Sequence, residues 1–448
     1  MMNQSKITVI GAGLAGSEAA YQIAGRGIDV DLIEMKPERK TPAHSADLFG
    51  ELVCSNSLRS AQSTNAAGML KDELRLLGSL IMEAADFSAV PAGSALAVNR
   101  NLFSAYITDK IKSMKNIRVI CAEAENIPDN GICVIASGPL TTEKLAKNIA
   151  AFFGSDGLYF FDAAAPIVDA ESIDYDTVFA QSRYDKGDAD YLNCPFDKET
   201  YLKFYENLIN AEEAELHDFD KSEQKKLTVF EGCMPVEIMA KRGVDTLRFG
   251  PMKPVGLTDP KTGREPYACV QLRAENKEKT MYNIVGFQTH LRIPEQKRVF
   301  CMIPGLENAV FLRYGVMHRN TYINSPGNLS PVYSALSRPD LYFAGQMTGV
   351  EGYIESASSG LVAGLNAAER LTTGKEIVFP ETTVTGSLAA YISRGGSGKF
   401  QPMNANFGLV KPLENKVRGG KAVRNQAIYD RGIAVLKNFI SVNRLSQT

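Results

Sequence analysis

A glycine-rich turn near the start of the chain has the residue types and spacing of a dinucleotide-binding loop. It reads Gly11-Ala12-Gly13-Leu14-Ala15-Gly16 and directly follows an apolar segment, residues 7–10. In such loops the first glycine makes a tight turn, the second lets a pyrophosphate approach the backbone, and the third lets a helix pack on the sheet. The next apolar segment ends at Glu34, at the distance where a carboxylate meets the ribose hydroxyls of an adenosine. These residues predict a dinucleotide site.

The seven cysteines are the other reactive side chains of interest, and they lie at positions 54, 121, 133, 194, 233, 269 and 301. Their number is odd and no pair has CxxC spacing, which argues against a disulfide scaffold, a zinc ribbon and a dithiol reductase centre. We therefore expect no metal site. We also expect the protein to be located in a reducing compartment, the cytoplasm. A single cysteine can still serve as a nucleophile, because its thiolate is reactive.

The elements that must position the dinucleotide are visible in the pattern of small and apolar residues. Residues 15–24 have helical spacing, which predicts an amphipathic helix whose N-terminus directs free N–H groups at phosphate. Much later, an apolar strand runs into Gly345 and is followed by a helix with small-residue faces. Flavoproteins of the glutathione-reductase type close their cofactor site with such a unit, so we expect FAD. The predicted cofactor-binding residues are Gly11, Ala12, Gly13, Leu14, Ala15, Gly16, Glu34, Gly345, Gln346, Glu351 and Gly352.

This order of segments predicts an α/β fold: a glutathione-reductase-type FAD-binding Rossmann domain with an inserted smaller α+β domain. The segment between the two cofactor-binding parts has a different character, first polar and acidic and then irregular and rich in Gly, Pro, Lys and Arg. We expect residues 1–189 and 325–448 to form the discontinuous FAD-binding domain and residues 190–324 to form the insertion. A second GxGxxG motif is absent, so NADH or NADPH would bind only transiently as a reductant.

Composition and charge limit the classes of partner. The chain has 448 residues, is 44% hydrophobic and carries a formal net charge of -2. No apolar run reaches the roughly 18 residues of a membrane span, so we expect no membrane association. From residue 391 to the end, ten Lys or Arg stand against Glu414 and Asp430, and such a basic end indicates a polyanionic partner.

Several long blocks resemble one family, the folate- and FAD-dependent tRNA (uracil-5-)-methyltransferases, and they cover the chain to about residue 408. The blocks are Cys54-Ser55-Asn56-Ser57-Leu58-Arg59, residues 90–100, Asp190-Tyr191-Leu192-Asn193-Cys194-Pro195, Phe230-Glu231-Gly232-Cys233-Met234-Pro235, residues 245–256, Val285-Gly286-Phe287-Gln288-Thr289-His290, Gly315-Val316-Met317-His318-Arg319-Asn320 and Gly349-Val350-Glu351-Gly352-Tyr353. The resemblance implies that 5,10-methylenetetrahydrofolate supplies a carbon, reduced FAD supplies reducing equivalents, and C5 of the T-loop uridine in tRNA accepts the carbon.

The same resemblance implies roles for particular side chains. Uracil C5 becomes nucleophilic when a thiolate adds to C6, and Cys233 is the candidate for that attack. Cys54 would hold or protect the one-carbon intermediate or act as a general acid or base. The insertion domain would contribute to RNA and folate binding. The candidate folate- or RNA-binding residues are Arg59, Arg248, Lys253, His290, His318 and Arg319, although each of these is also compatible with a structural or surface role.

Other functions stay open at the level of the sequence. A family resembling glucose-inhibited division protein A modifies the wobble uridine, but it has a histidine in its glycine loop, where this chain reads Gly13-Leu14-Ala15-Gly16. Some members of the nearer family methylate a 23S rRNA uridine instead. A flavin oxidase or disulfide reductase, a non-catalytic RNA-binding flavoprotein and an S-adenosylmethionine methyltransferase are further alternatives. We expect a monomer or a weak homodimer.

Overall fold

The computed structural model describes residues 6–41, 43–154, 158–163, 165–185, 188–214, 234–275, 279–315, 317–395, 400, 402–415 and 417–445, with the backbone alone at 158–163, 185 and 317–321. The first third of the chain contains these elements: β1 Ile7–Ile10, α1 Leu14–Ala24, β2 Val30–Glu34, β3 Ser57–Ser60, α2 Ala66–Leu76, α3 Leu80–Phe87, β4 Ala89–Val90, β5 Ala95–Val98, α4 Arg100–Ser113, β6 Ile117–Cys121, β7 Cys133–Ile135 and α5 Glu143–Phe153.

The middle of the chain contains mainly short strands: β8 Leu158–Ala163, β9 Ile167–Asp169, β10 Phe179–Ala180, β11 Tyr191–Phe196, α6 Lys198–Ile209, α7 Val236–Ala240, α8 Thr246–Phe249, β12 Ala268–Ala274, β13 Met281–Ile284, α9 Ile293–Phe300, β14 Phe311–Arg313 and β15 Met317–Tyr322. The last part is mostly helical: β16 Ser334–Ala335, β17 Arg338–Phe343, α10 Tyr353–Thr372, α11 Val384–Arg394 and α12 Gly420–Asn443.

A six-stranded sheet in the order β16-β17-β7-β1-β2-β6 forms the first unit. Its strands pair in parallel except for β16, which runs antiparallel to β17. The central strands are buried apolar runs, as expected where helices cover both faces. β1 lies between β2 and β7, so the chain crosses to opposite sides of β1. In open α/β sheets, ligands bind beyond the carboxyl end of the strand at such a switch point.

Glycines in α10 let this helix pack closely on α1. A Cβ at Gly360 would lie 2.7 Å from Ala15 Cα, and one at Gly364 would lie 2.7 Å from Ala19 Cα. No side chain fits there, because real Cβ atoms essentially never approach other atoms that closely. The small-residue face predicted for the late helix therefore holds α10 against the helix that starts at the glycine loop.

A second six-stranded sheet has the order β10-β11-β12-β13-β9-β14, and its strand pairs are antiparallel. Its helices α6 and α9 contribute to a separate apolar core. Aromatic side chains fill this core, where Phe287 packs edge-on against Phe300 with ring centroids 5.5 Å apart. An antiparallel sheet with segregated helices is the α+β arrangement predicted for the insertion.

Sheet membership differs from the predicted domain boundary at residue 190. β9 and β10, at Ile167–Asp169 and Phe179–Ala180, pair with strands of the second sheet. The short strand β9 carries little local signal, and its place is decided by β13 and β14, which lie more than 100 residues away, whereas β10 pairs with β11, the next strand along the chain. We therefore propose that the second unit starts near residue 165, and that the two-stranded pair of β8 with β15 connects it to the first unit.

Among the residues that the structure describes, no helix combines the length and the apolar character needed to cross a lipid bilayer.

Candidate functional site

The glycine loop after β1 has a backbone geometry that suits a pyrophosphate. Gly11 has a φ of 95°, and a Cβ there would lie 2.6 Å from the carbonyl oxygen of Ala136. A Cβ at Gly16 would overlap the Gly11 carbonyl. By contrast, a Cβ at Gly13 would meet nothing within 4 Å, which leaves open space next to the N-terminus of α1. A phosphate can use this space and reach the free N–H groups of the helix.

Glu34 ends β2 as a buried carboxylate beside the loop. One of its oxygens accepts the N–H of Ala12 at 2.7 Å, and the other accepts the N–H of Lys36 at 3.0 Å. Each oxygen keeps a further lone pair for a ribose hydroxyl. A cavity of about 50 Å³ adjoins Glu34 and is lined also by Gly11, Glu123 and Thr142. The residues present thus fit the adenosine half of a dinucleotide.

The late strand-glycine-helix unit lies across the start of α1. Gly345 has a φ of 86°, and a Cβ at this position would lie 3.2 Å from Ala15 Cβ. Its N–H donates to the Ser359 hydroxyl at 2.7 Å. Gln346 then donates its side-chain amide to the Glu351 carboxylate at 2.8 Å. The predicted late residues consequently lie beside the start of α1.

Cys54 lies at a cavity of about 200 Å³ formed by three distant parts of the chain. The loop before β3 and the start of α10 form two walls, and Gln288 of the second unit contributes to a third. The predicted residues Arg59, Gln346, Glu351 and Gly352 line the same cavity. Other lining residues are Ser55, Ser57, Leu58, Ala67, Leu70, Tyr353, Ile354 and Glu355.

Two arginines hold the backbone of the Cys54 loop. Arg100 donates to the carbonyl oxygens of Leu52 at 2.6 Å and of Cys54 at 3.2 Å. Arg313, on β14, donates to the Val53 carbonyl. Both side chains carry their charge close to Cys54, and a nearby cation stabilises a thiolate relative to a thiol.

Tyr353 fixes the same loop from the side of α10. Its hydroxyl accepts the N–H of Cys54 at 2.8 Å and that of Ser55 at 3.1 Å. Burial raises the pKa of Tyr353 well above its ordinary value, so the hydroxyl stays protonated. It retains one proton that it can donate into the cavity.

The second unit is joined to this loop by buried polar contacts. Arg273 of β12 donates to Asn56 at 2.9 Å and to the Ser55 hydroxyl at 2.7 Å. Glu275, directly after β12, pairs with Arg100 at 2.6 Å. Arg273 and Glu275 are buried and Arg100 is half-buried, and charge-assisted hydrogen bonds hold their mutual orientation.

Arg59 lines the same cavity and pairs with a carboxylate of α10. Its guanidinium lies 3.5 Å from Glu355, and Glu355 also accepts the N–H of Ala405 at 3.0 Å. Lys71 lies beneath, fully buried, and donates to the carbonyl oxygens of Ser60 and Ala67. Burial lowers the pKa of Lys71 to about 8.

Three of the predicted folate- or RNA-binding residues lie outside this cavity. His290 is buried in the second unit, and its Nδ1 atom lies 3.8 Å from the Glu213 carboxylate. The pKa of Glu213 is lowered to about 2, and its interaction with His290 is the largest cause. Arg248 stacks on the Tyr267 ring at 3.7 Å and pairs with Asp245. Lys253 is exposed to solvent.

The remaining predicted residues cannot be placed in full. Cys233 lies outside the described residues. His318 and Arg319 lie on β15, opposite Asp162 and Phe161 of β8, and their side chains are outside the described part of the chain. The described chain resumes at Met234, and the N–H of Val236 donates to the carbonyl of Gln288 at 2.8 Å, beside the Cys54 cavity.

Sequence reasoning missed Arg100, Arg273, Arg313 and Glu355. Arg100 ends one of the family-like blocks and Glu355 follows another by two residues, so proximity to those blocks was a usable signal. Arg273 and Arg313 had no local signal, because their partners lie about 220 and 260 residues away in sequence. Within the described residues, His, Cys, Asp and Glu form no group suited to holding a metal ion.

Comparison with known proteins places these features in context. The family profile described as "Glucose inhibited division protein A" matches residues 6–375. A methylenetetrahydrofolate–tRNA-(uracil-5-)-methyltransferase TrmFO of Lactobacillus acidophilus is 59% identical over 433 residues, which is 97% of this chain and 98% of the relative. The enzyme of the same name from Acetivibrio thermocellus is 58% identical over 435 residues, again 97% of this chain and 98% of the relative.

A solved structure of Aquifex aeolicus GidA superimposes with a TM-score of 0.70 at 17% identity, covering 98% of this chain and 76% of that one. At this identity the likeness concerns the fold alone. Together with the parallel sheet and its glycine loop, it confirms the predicted fold class, an FAD-binding Rossmann domain with an inserted smaller domain.

Proposed function

Since the chain belongs to the glucose-inhibited division protein A family and, within it, to the methylenetetrahydrofolate–tRNA-(uracil-5-)-methyltransferases, we infer that it methylates C5 of uracil in tRNA with a carbon from methylenetetrahydrofolate. The observation that carries this inference in the structure is the cavity shared by Cys54, Gln346 and Glu351, because it brings a thiol next to the end of a dinucleotide site.

The finer features are proposals that rest on the family resemblance. We propose the T-loop uridine of tRNA as the acceptor, with a 23S rRNA uridine as the alternative. NADH or NADPH would supply electrons as a visiting reductant. When bound, FAD supplies the two electrons that convert the methylene group into a methyl group.

The pyrophosphate of FAD would be held by the loop around Gly13 and by the N-terminus of α1. Glu34 would accept hydrogen bonds from the ribose hydroxyls, since both of its oxygens already have fixed orientations. Gln346 and Glu351 line the reaction cavity and are joined to each other. They would therefore orient a polar ring system, flavin or pterin, without moving themselves.

We propose that the Cys233 thiolate attacks uracil C6, which makes C5 nucleophilic. C5 then forms a bond to the one-carbon unit while the bond between that carbon and its carrier nitrogen breaks, and C5 loses its proton to a base. Two electrons reduce the methylene group to a methyl group as the Cys233 thiolate leaves C6. Cys54 lies where the one-carbon unit would be handled. Arg100 and Arg313 would favour the ionised form of its thiol, because their charges lie beside the loop that carries it.

The direct test of the function compares 5-methyluridine in tRNA and in rRNA between a strain that carries the gene and one that lacks it. We expect loss of the modification from tRNA on deletion and its return on complementation. Loss from rRNA alone would assign the 23S target, and unchanged RNA in both classes would contradict the proposed methylation. Purified protein should also show flavin absorbance.

The two cysteine roles predict different behaviour with tRNA that contains 5-fluorouracil. A C5 fluorine cannot leave as a proton does, so an enzyme that attacks C6 is trapped as a covalent adduct. We expect C233A to form no adduct and C54A to form it, while both lose at least 100-fold in methylation rate. The measurement is a gel shift under denaturing conditions.

The matched control for these variants is C301A, a half-buried cysteine that does not line the cavity. It should retain both adduct formation and activity. If C233A formed the adduct and C54A did not, the roles of the two cysteines would be reversed.

A further inference from the structure

Glu355 places a buried carboxylate with one unused oxygen at the wall of the Cys54 cavity. The residue is only 2% exposed, and it lines the cavity together with Gly352. Its Oε1 atom accepts the N–H of Ala405 at 3.0 Å. No donor group of the described chain reaches Oε2, and Oε2 is not one of the fully enclosed polar atoms that lack a partner, so it keeps contact with the cavity. A ligand that brings an N–H group would satisfy this acceptor.

Both oxygens of this carboxylate have fixed positions before any ligand binds. The N–H of Ala405 holds Oε1. Oε2 lies over the backbone of Gly352, where a Cβ would come within 2.2 Å of it. Glycine therefore leaves room for Oε2 at the cavity wall, and a side chain at position 352 would displace it. A site with such a preset acceptor distinguishes a ligand that donates a hydrogen bond from one that does not.

Arg59 supplies hydrogen-bond donors beside this acceptor. Its guanidinium lies 3.5 Å from Oε1 of Glu355, and a guanidinium has several N–H groups, which leaves donors for a ligand. The side chain of Arg59 is 41% exposed, whereas that of Glu355 is 3% exposed. The pair thus extends from the closed wall of the cavity to its solvent side, from which one base of a large substrate has to enter.

The backbone around Arg59 directs its side chain to this place. Ser57 and Ser60 of β3 pair with Ala97 and Ala95 of β5, so β3 has one residue more than its partner between these pairs. Arg59 lies in this bulge with a φ of 66°, which is uncommon for residues other than glycine. Bulges redirect side chains, and backbone strain of this kind is found at sites where one side-chain direction is needed.

The other surfaces of the cavity suit a single flat ring. Leu58, Leu70 and Ile354 give it apolar walls, and its volume is about 200 Å³. This is below the roughly 300–1,000 Å³ of sites that enclose a whole drug-sized ligand. An acceptor beside a donor matches a ring N–H beside a carbonyl, as in N3–H and O4 of uracil. Reaction at C5 and C6 leaves this edge free, and enzymes that extrude a base read the edge by hydrogen bonds.

We propose that Glu355 and Arg59 select uracil as the base that is methylated. Oε2 of Glu355 accepts the N3–H of the uridine, and Arg59 donates to O4. Cytosine is rejected, because it has a lone pair at N3 and an amino group at C4, so both contacts become unfavourable. The Arg59 contact also stabilises the negative charge that reaches O4 when a thiolate adds to C6. The proposal rests on the proposed function, because it takes a tRNA uridine as the substrate.

The test compares binding of two tRNA transcripts, with uridine or with cytidine at the methylated position, to flavin-loaded protein without folate. In E355Q the Ala405 N–H keeps the amide oxygen at Oε1, so the amide NH₂ replaces Oε2 and faces N3 of the base. We expect E355Q to bind the uridine transcript about 10- to 100-fold more weakly, the loss expected for a hydrogen bond to a charged group. The cytidine transcript should bind no more weakly than to the wild type.

The matched control is E369Q, on the same helix about 21 Å further along. Glu369 does not line the cavity, so this variant should bind both transcripts as the wild type does. R59A tests the donor at an exposed position and keeps the proposal testable if thermal melting shows that E355Q does not fold. It should lower the preference for the uridine transcript at least about 10-fold. A merely structural role of either residue would weaken both transcripts alike.

Pterin and flavin rings also have an N–H beside a carbonyl, and two further measurements separate them from uracil. A raised KM for methylenetetrahydrofolate, with the uridine preference unchanged, would assign the pair to the pterin and overturn the proposal. Weaker FAD binding with the preference unchanged would assign it to the flavin and overturn it as well. If the wild type methylates tRNA but both variants keep its preference, this proposal alone fails. If the wild type does not methylate tRNA, the proposed function fails and this proposal fails with it.

Discussion

At the scale of single residues, the candidate site depends on charged groups whose partners are backbone atoms. Arg100 and Arg313 bind carbonyl oxygens around Cys54, and Tyr353 accepts two N–H groups of the same loop. These contacts hold the backbone of the loop that carries Cys54 in place. Other conformations of this loop are disfavoured, because Arg100 and Arg313 would then lose their carbonyl acceptors. An enclosed guanidinium without hydrogen-bond acceptors costs free energy.

Glu73 provides a prediction about pH at this scale. It is fully buried and accepts the N–H groups of Val384 and Thr385 at 2.7 and 2.8 Å at the start of α11. Burial raises its pKa from 4.5 to about 7. The protonated form is thus favoured by folding: its stabilisation is complete below pH 4.5, declines as pH rises, and is lost above pH 7.

We expect the free energy of unfolding of the wild type to fall relative to that of E73Q by on the order of 3 kcal/mol between pH 4.5 and pH 7. Glutamine does not titrate, and all other groups cancel in the difference. Urea unfolding at a series of pH values measures it. A difference that does not vary with pH would show that Glu73 ionises equally easily in the folded and unfolded chain.

At the scale of elements, the cofactor site is a junction of one strand and two helices. β1 delivers the glycine loop, α1 presents its N-terminus, and α10 crosses α1 so closely that Gly360 has no room for a side chain. The helix contact fixes the direction of α1 and hence of its N–H groups. Glycines in this junction therefore serve two separable purposes, cofactor approach and helix packing.

This separation predicts opposite effects for two alanine substitutions. G13A should leave the melting temperature of the apoprotein nearly unchanged, since a Cβ there meets no protein atom within 4 Å, but should abolish FAD binding by occupying the phosphate space. G360A should cost about 1–3 kcal/mol of stability by overpacking against Ala15, despite the better helix propensity of alanine.

Thermal melting of the apoprotein and titration with FAD measure both effects, and each variant serves as the control for the other. If G13A destabilised the apoprotein as much as G360A, the two purposes would not be separable. Normal FAD affinity in G13A would exclude the loop as the pyrophosphate site.

At the scale of the whole molecule, the two sheets meet at the loop that carries Cys54. Arg273 and Glu275 reach it from the second sheet, and Arg100 reaches it from the start of α4. The site therefore exists only when both units are folded and docked.

The pair of half-buried Arg100 with buried Glu275 should be much more important for stability than an exposed pair of similar length. R100A leaves the carboxylate of Glu275 enclosed and unpaired, which should cost about 3–5 kcal/mol. R394A breaks the exposed pair with Glu381, also 2.6 Å long, and should cost less than about 1 kcal/mol. Urea unfolding of both variants tests this, and equal losses would mean that the pair of Arg100 and Glu275 does not hold the junction.

The sequence by itself determined the parts whose signal is local. The loop from Gly11 to Gly16, the acid at Glu34 and the late unit at Gly345 each consist of neighbouring residues with fixed spacing, and the predicted α/β flavoprotein fold is confirmed. The roles assigned to individual site residues, including Cys54 and Cys233, stay predictions.

Only the tertiary structure decided which distant residues meet. A strand as short as Ile167–Asp169 is assigned to a sheet by partners more than 100 residues away, so the start of the second unit could not be read locally. Arg273 and Arg313 reach the Cys54 loop, and Asn425 reaches Thr64, across more than 200 residues of chain. Spacing along a sequence encodes the geometry of one turn, one helix or one strand. Contacts between separate elements depend on how whole sheets and helices pack, and no local pattern records them.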